Sequence, residues 1–250
     1  MKLKKQHTGF DLKKHLALEH RLSPLSIYLR EIVYGGNDGI VTTFAVVAGF
    51  AGAQTQNFEK ISLLLVLLFG LANLFADGVS MALGNFLSTR SHQNVYFSEE
   101  KKERYEIRNN PEAEKAESIE ILMQKGFSKA QAEKLVSIYA TNEKYWLNFM
   151  MSQELEMADP GRDKPVFMAL ATFTSFIVFG LIPLIPYLFF RNDPNIFMFS
   201  AISTFLALII LGVLRWRLST ESWLRSVGET ILLGGVAAIV AYFIGSLFRL

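Results

Sequence analysis

Long segments without a charged residue constrain this chain more than any other feature of its sequence. Four of them, covering residues 39–58, 165–190, 194–214 and 230–248, are long enough or nearly so to cross ~30 Å of hydrocarbon as a helix. A fifth run, 61–89, is interrupted only by Asp77. With 51% hydrophobic and only 19% charged residues, the composition excludes a disordered chain and disfavours a water-soluble domain. We therefore predict an all-α membrane protein with five transmembrane helices.

The basic residues alternate in number between successive connecting segments. The first thirty residues hold seven Lys and Arg residues and the segment 90–164 holds twelve, whereas the loops after spans one and three hold one each. Basic residues accumulate on the cytoplasmic side of a membrane. This pattern predicts a cytoplasmic N-terminus, and five spans then place the C-terminus outside.

Four regions follow from these patterns. Residues 1–30 are expected to form a basic amphipathic cytoplasmic segment, and residues 31–89 hold spans one and two. Residues 90–164 form a cytoplasmic helical insert, which holds 14 of the 23 acidic residues, and residues 165–250 hold spans three to five. The apolar side chains Phe10, Leu12, Leu16 and Leu18 could place the first segment on a membrane surface.

Helix-breaking and helix-capping residues in the insert predict four helices. The first leaves the membrane through Thr89 and stops at Asn109-Asn110-Pro111, because the residue before a proline disfavours helix. The second ends at Gly126, and a capping box at Ser128-Lys-Ala-Gln131 opens the third. The fourth follows Asn142 and ends before Pro160. In the last part of the chain, Pro183 and Pro186 are expected to kink or end span three.

Several classes of function are excluded. The chain has no cysteine, so disulfides, cysteine-ligated metal sites and thiol catalysis are ruled out. The net charge of +2 gives no indication of nucleic-acid binding, and no nucleotide-binding or hydrolase motif is present. We therefore predict that the protein is not an enzyme, binds neither nucleic acid nor nucleotide, and uses no cofactor.

The first candidate site lies in the predicted spans. Glu31 and Asp38 are seven residues apart and share one helix face, and Asp77 is followed one turn later by Met81. Ionisable groups at membrane depth are costly, and their default interpretation is an ion or proton pathway. Two structural alternatives stay open, since Glu31 could be solvated at the span edge and Asp38 could cap a broken helix. A carboxylate with a thioether suits a divalent transition metal better than calcium or magnesium.

The second candidate site lies in the insert, where acidic residues recur at helical spacing. Its members are Glu103, Glu106, Glu114, Glu117 and, on the fourth helix, Met150, Met151 and Glu154. The Asn-Asn-Pro break could fold the first two helices back so that their acidic faces meet. The alternative is a solvated acidic surface. A di-iron oxidase is disfavoured because the four histidines form no Glu-x-x-His pair.

These residues form motifs that resemble the vacuolar iron transporter family. Arg30-Glu31 followed by 36–43 resembles its first-span signature, and 77–84 followed by Leu87-Ser88 its second. The insert glutamates have the family's 3, 8, 3 spacing, and Met150-Met151 with Glu154 matches its Met-Met-x-x-Glu element. The stretch from Leu224 through Gly234-Gly235 to Gly245 is similar too. The resemblance covers about 28–250.

The resemblance implies a homodimer that exports ferrous iron from the cytosol in exchange for protons. Asp38 and Met81 would then be metal ligands where the first and second spans line the pathway, with Glu31 at its cytoplasmic mouth. We also assign Asp77 to the pathway, as a carboxylate that could compensate for missing ones. The glutamates and methionines of the insert would form a cytoplasmic metal-collecting site. Manganese, cobalt and zinc share this ligand chemistry with iron. This chain has Asn73 and Asn85 where many members carry carboxylates, which reduces the number of groups able to exchange protons.

We therefore expect a homodimeric ferrous-iron transporter, with manganese as a second substrate, in the lipid bilayer. An inner or plasma membrane is favoured over a vacuolar-type membrane, although relatives occupy vacuoles. The alternative is a membrane-anchored metal sensor or buffer, in which the spans only dimerise and the insert binds cations. That alternative gives no use to Asp38, Asp77 and Met81.

Overall fold

The computed structural model describes residue 15 and residues 23–53, 59–190, 193–218 and 220–248. Most of the predicted amphipathic segment 1–30, including Phe10, Leu12, Leu16 and Leu18, lies outside them. The described residues are almost entirely helical and contain no strand. In the described residues, ten α-helices follow one another: α1 (Pro24–Ile27), α2 (Leu29–Ala53), α3 (Glu59–Asn109), α4 (Pro111–Gln124), α5 (Lys129–Tyr139), α6 (Glu143–Gln153), α7 (Pro165–Leu181), α8 (Ile185–Phe189), α9 (Ile196–Leu218) and α10 (Trp223–Leu247).

The chain divides into two compact units. The span unit comprises Met1–Ala82 and Ala169–Leu250, and the insert unit comprises Leu83–Met168. The boundary at Ala82 lies inside α3, which is one helix of 51 residues. The prediction that a single helix continues from the second span into the insert is therefore confirmed.

Four helical stretches in the described part are long and apolar enough to cross a membrane: Leu63–Asn109, Pro165–Phe189, Ile196–Leu218 and Trp223–Leu247. The protein is therefore an all-helical, multi-pass membrane protein. The predicted first span, α2, is not among the four although it has 25 residues. Its hydropathy is lower because it carries Glu31, Asn37 and Asp38 in its first half.

Small residues let the helices of the span unit approach closely. A Cβ atom on Gly39 of α2 would overlap the backbone carbonyl of Phe176 in α7, and one on Gly245 of α10 would overlap the carbonyl of Gly49. Helix backbones in a membrane pack this closely only where side chains are absent. Beside these contacts, an apolar core of the span unit includes Phe44, Val47, Val66, Leu184 and Tyr187.

The prediction that Pro183 and Pro186 kink or end span three is confirmed. The α-helix α7 ends at Leu181 and a 3₁₀ turn, Ile182–Leu184, leads into α8. Because proline lacks an N–H group, carbonyl groups in the preceding turn lose their helical partners. The Ser200 hydroxyl of α9 donates to the Pro183 carbonyl at 2.6 Å, and the Ser203 hydroxyl donates to that of Ile182 at 3.3 Å.

The predicted helix ends in the insert unit are also present. Gly126 adopts a left-handed conformation with φ 96°, and Phe127 N–H donates to the Leu122 carbonyl, which closes α4. The Ser128 capping box opens α5, and the Asn142 side chain caps α6. Helix α6 ends at Gln153, seven residues before Pro160. The fourth helix is therefore shorter than the position of Pro160 alone would permit.

Candidate metal site in the insert and acidic residues of the spans

The reversal between α3 and α4 brings two glutamates of the insert together. Asn110 N–H donates to the Glu106 carbonyl at 2.7 Å as the last turn of α3 closes, and Pro111 begins α4 directly afterwards. The fixed φ of proline suits the first position of a helix. Glu103 on α3 therefore faces Glu114 on α4, as the predicted meeting of acidic faces requires.

Three carboxylates converge at this point. Glu103, Glu114 and Glu154 each place one oxygen within 4.8 Å of the others. Glu103 is 4% exposed and Glu114 5% exposed, whereas Glu154, at the end of α6, is exposed. Glu103 Oε1 and Glu114 Oε2 are buried without a hydrogen-bond partner among the described residues. Buried polar atoms normally have a partner, so this arrangement suits a divalent cation.

The pKa values of the three carboxyl groups also favour a cation at this point. Burial raises the pKa of Glu103 to about 8, and the negative charges of Glu154 and Glu114 add to this effect. Burial also raises the pKa values of Glu114 and Glu154, the first opposed by its hydrogen bond with Glu103 and the second by Lys102. Carboxylates crowded together resist ionisation. A bound cation supplies the missing positive charge and displaces the protons.

Glu106 and Glu117 lie near this cluster but are not among the three converging carboxylates. Glu106 is partly buried, Glu117 is exposed, and the charges of both raise the pKa of Glu154. The basic side chains nearby are engaged by other acids. Arg104 pairs with Glu100, Arg108 with Glu143 and Lys115 with Glu112. Lys115, the nearest cation in the sequence, therefore does not neutralise the row.

Met150 and Met151 are core residues in this structure. Both are at most 1% exposed, in an apolar cluster with Tyr96, Ile107, Trp146 and Leu147. Met150 Sδ accepts a hydrogen bond from the Ser118 hydroxyl at 3.2 Å. Sequence reasoning missed Ser118 and Trp146, although Ser118 lies one turn after Glu114 on the same helix face.

In the span unit, α2 and α3 carry the acidic residues predicted at membrane depth. Asn73 Nδ2 donates to Asp77 Oδ2 at 2.8 Å, one turn along α3. Asp38 on α2 and Asp77 on α3 are near enough for their charges to interact. Both carboxylates and Met81 are partly exposed. The structure therefore brings Asp38 and Asp77 into one electrostatic neighbourhood.

Both structural alternatives for the α2 acids are wrong. Helix α2 is continuous from Leu29 to Ala53, so Asp38 does not cap a broken helix, and the Thr42 hydroxyl donates to its backbone carbonyl at 2.8 Å. Glu31 is not solvated at the span edge, because it is 2% exposed and its Oε2 has no hydrogen-bond partner among the described residues. The continuous helix excludes a capping role for Asp38, and the burial of Glu31 in the packed span unit excludes its solvation.

A cavity of about 670 Å³ within the span unit reaches Asp38. Its polar lining includes Arg30, Tyr34, Asn37 and Arg215, and the Asn37 Oδ1 atom is buried without a hydrogen-bond partner in the described chain. Arg215 is engaged by Glu221 at 2.7 Å and Glu229 at 2.9 Å. Asp38, which is partly exposed, therefore lies at the edge of this cavity.

The fold and the two acidic sites define a multi-pass membrane protein with a carboxylate cluster in a helical insert. The chain belongs to the VIT family, whose model matches residues 29–246. A vacuolar iron transporter from Toxoplasma gondii is 34% identical, covering 97% of this chain and 82% of the relative. Vacuolar iron transporter 1 from Arabidopsis thaliana is 32% identical, covering 86% and 84%. The vacuolar iron transporter from Plasmodium falciparum is 33% identical, covering 88% and 82%.

These matches confirm the family resemblance found in the sequence motifs. The relatives are named as transporters, which also confirms that this chain is not an enzyme. Their names place those proteins in vacuoles. The expected inner or plasma membrane for this chain stays a prediction.

Proposed function

We propose that this protein transports a divalent transition metal across a membrane, with ferrous iron as the first substrate and manganese as the second. The metal leaves the cytosol and protons move in the opposite direction. The names of the relatives support iron as the substrate. The direction and the exchange with protons follow from the family resemblance of the motifs.

The convergence of Glu103, Glu114 and Glu154 is the observation that carries this proposal. Two of the three carboxylates are buried, and each has an oxygen without a hydrogen-bond partner in the described residues. A solvated acidic surface would leave such oxygens in water. The insert binds the cation, with Glu106 and Glu117 adding negative charge around it and Met150 and Met151 as candidate sulfur ligands.

The spans carry the translocation step. Asp38 and Met81 replace part of the water shell of the cation, Asp77 adds a second carboxylate, and Glu31 lies at the cytoplasmic end of the pathway. Protonation of carboxylates lowers metal affinity because the charged form is the ligand. Exposure to a more acidic compartment therefore releases the metal and loads the protons.

The topology of the transporter has five spans, with α2 as the first. The low hydropathy of α2 fits a helix that lines a polar pathway, where ionisable residues face a partner helix or water instead of lipid. Two copies form a homodimer in the bilayer, with the N-terminus and the insert in the cytoplasm and the C-terminus outside.

Metal uptake into proteoliposomes with an imposed pH gradient tests this function. We expect the reconstituted chain to move Fe²⁺ and Mn²⁺ faster than empty liposomes. A Glu103→Gln, Glu114→Gln double variant is expected to need higher metal concentrations for the same rate, with Glu120→Gln as the matched surface control. Metal binding without any transport would support the sensor or buffer in place of the transporter.

A further inference from the structure

A cluster of four charged side chains lies where α9 meets α10, outside both acidic sites. Arg215, near the end of α9, pairs with Glu221 at 2.7 Å and with Glu229 at 2.9 Å, and Arg225 pairs with the same Glu229 at 3.0 Å. The Ser222 side chain caps α10 by accepting a hydrogen bond from Arg225 N–H. The cluster therefore joins the end of one predicted span to the beginning of the next.

The two carboxylate oxygens of Glu229 have separate partners. Oε1 accepts a hydrogen bond from Arg225 Nε, and Oε2 contacts Arg215. The Arg215 side chain is 25% exposed, whereas that of Arg225 is 72% exposed. Salt and water screen an exposed charge more than a partly buried one. The charge that loss of Glu229 would leave uncompensated therefore acts mainly through Arg215.

Arg215 also lines the cavity that Asp38 borders. Both residues belong to the lining of this space of about 670 Å³, together with Arg30, Tyr34 and Asn37. The guanidinium of Arg215 is engaged by its two glutamates and not by Asp38. Because an arginine is always charged, its counter-ions determine how much positive charge the cavity wall carries beside Asp38.

A divalent cation at Asp38 would be sensitive to this positive charge. An arginine without its counter-ions would repel the cation or pair with the Asp38 carboxylate itself, and both effects weaken cation binding. With Glu221 and Glu229 in place, the formal charges of the four-residue cluster cancel.

We infer that Glu229 is a positioning residue that holds and neutralises Arg215, and so keeps Asp38 available to a divalent cation. This inference rests on the proposed transport function. It assigns a role in cation affinity to a glutamate that is not itself a metal ligand, and it is independent of metal binding by the insert.

The kinetics of Fe²⁺ uptake into proteoliposomes test the inference. We expect Glu229→Gln to raise the KM for Fe²⁺ about tenfold, the lower end of the effect of cleft charges on local ion concentration, with little change in the maximal rate. Arg217→Gln is the matched control, because Arg217 is exposed on the same helix as Arg215 and is not part of the cavity lining. Its KM should equal that of the wild type.

Addition of Arg215→Gln to Glu229→Gln separates the effect of charge from an effect of packing. The double variant has no uncompensated guanidinium in the cavity wall, so its KM should return to the wild-type value. A purely structural role of the ion pairs predicts that the double variant is at least as impaired as Glu229→Gln. Arg215→Gln alone gives a test that does not require Glu229→Gln to fold, since its KM should not exceed that of the wild type.

An unchanged KM in Glu229→Gln, a raised KM that Arg215→Gln does not restore, or a raised KM in Arg215→Gln alone would overturn the inference and leave the transport function intact. Absence of Fe²⁺ uptake by the wild type would overturn the proposed function and this inference with it.

Discussion

Glu103 and Glu114 lie on different helices, yet their carboxylates are within 4.8 Å of each other and both are buried. Like charges this close are unfavourable unless a proton or a cation lies between them. The insert therefore holds two buried carboxylates at a distance where a proton or a divalent metal ion is needed between them. This burial and proximity distinguish the site from an ordinary acidic helix surface.

Glu103→Gln is expected to weaken Mn²⁺ binding to the insert at pH 7.5 by at least ~10-fold, since changes beside metal ligands already cost 10- to 100-fold. Glutamine keeps the size of the side chain but removes the charge that a cation requires. Isothermal titration of the full-length chain in detergent measures the change. Glu120→Gln, on the exposed face of α4, should bind like the wild type, and equal losses in both variants would contradict the assigned site.

Metal affinity should increase with pH up to about pH 8. Burial and neighbouring acids raise the pKa of Glu103 to about 8, so protons compete with the metal below that pH. Titrations at pH 6, 7 and 8 test this, with Glu103→Gln expected to flatten the profile. An affinity that is independent of pH in the wild type would show that Glu103 does not exchange a proton for the metal.

The stability of the metal-free protein should change in the opposite direction. Glu103 has a pKa of about 8 in the folded chain against an ordinary value of 4.5. Between these values the folded state keeps a proton that the unfolded state has released, so the free energy of unfolding falls as pH rises. Thermal unfolding at pH 5.5 and 8 measures the loss, and Mn²⁺ should reverse it at pH 8. Greater stability of the metal-free protein at pH 8 would contradict this linkage.

Gly39→Ala should destabilise the span unit by ~1–3 kcal/mol, the usual cost of adding volume to a packed site. The new methyl group would meet the Phe176 carbonyl, which belongs to a backbone and cannot rotate away. Gly235→Ala is the matched control, because a Cβ atom there meets nothing within 4 Å. Thermal melting in detergent compares the two variants, and equal melting temperatures would contradict the close packing of α2 and α7.

Local signals in the sequence predicted most of the insert fold. The Asn-Asn-Pro break, Gly126 and the Ser128 capping box act within a few residues, and α3, α4 and α5 begin or end at these signals. The spacing of the glutamates predicted that two acidic faces could meet. It could not separate Glu103, Glu114 and Glu154 from Glu106 and Glu117, because that choice depends on how three helices pack.

The features that the sequence did not predict depend on contacts between distant residues. Ser118 on α4 contacts Met150 and Trp146 on α6, and no local sequence pattern links these residues. The burial of Glu31 likewise arises from the packing of α2 and not from its position near the end of a span. Helical periodicity specifies a face but not which element covers it.

Simultaneous measurement of metal and proton fluxes in proteoliposomes that carry wild-type or Asp38→Asn protein tests the central claim most directly. We expect Fe²⁺ uptake with a matching pH change in the wild type, and loss of both in the variant while the insert still binds Mn²⁺. Equal Fe²⁺ uptake by the two proteins would contradict it, because Asp38 would then have no part in moving the metal.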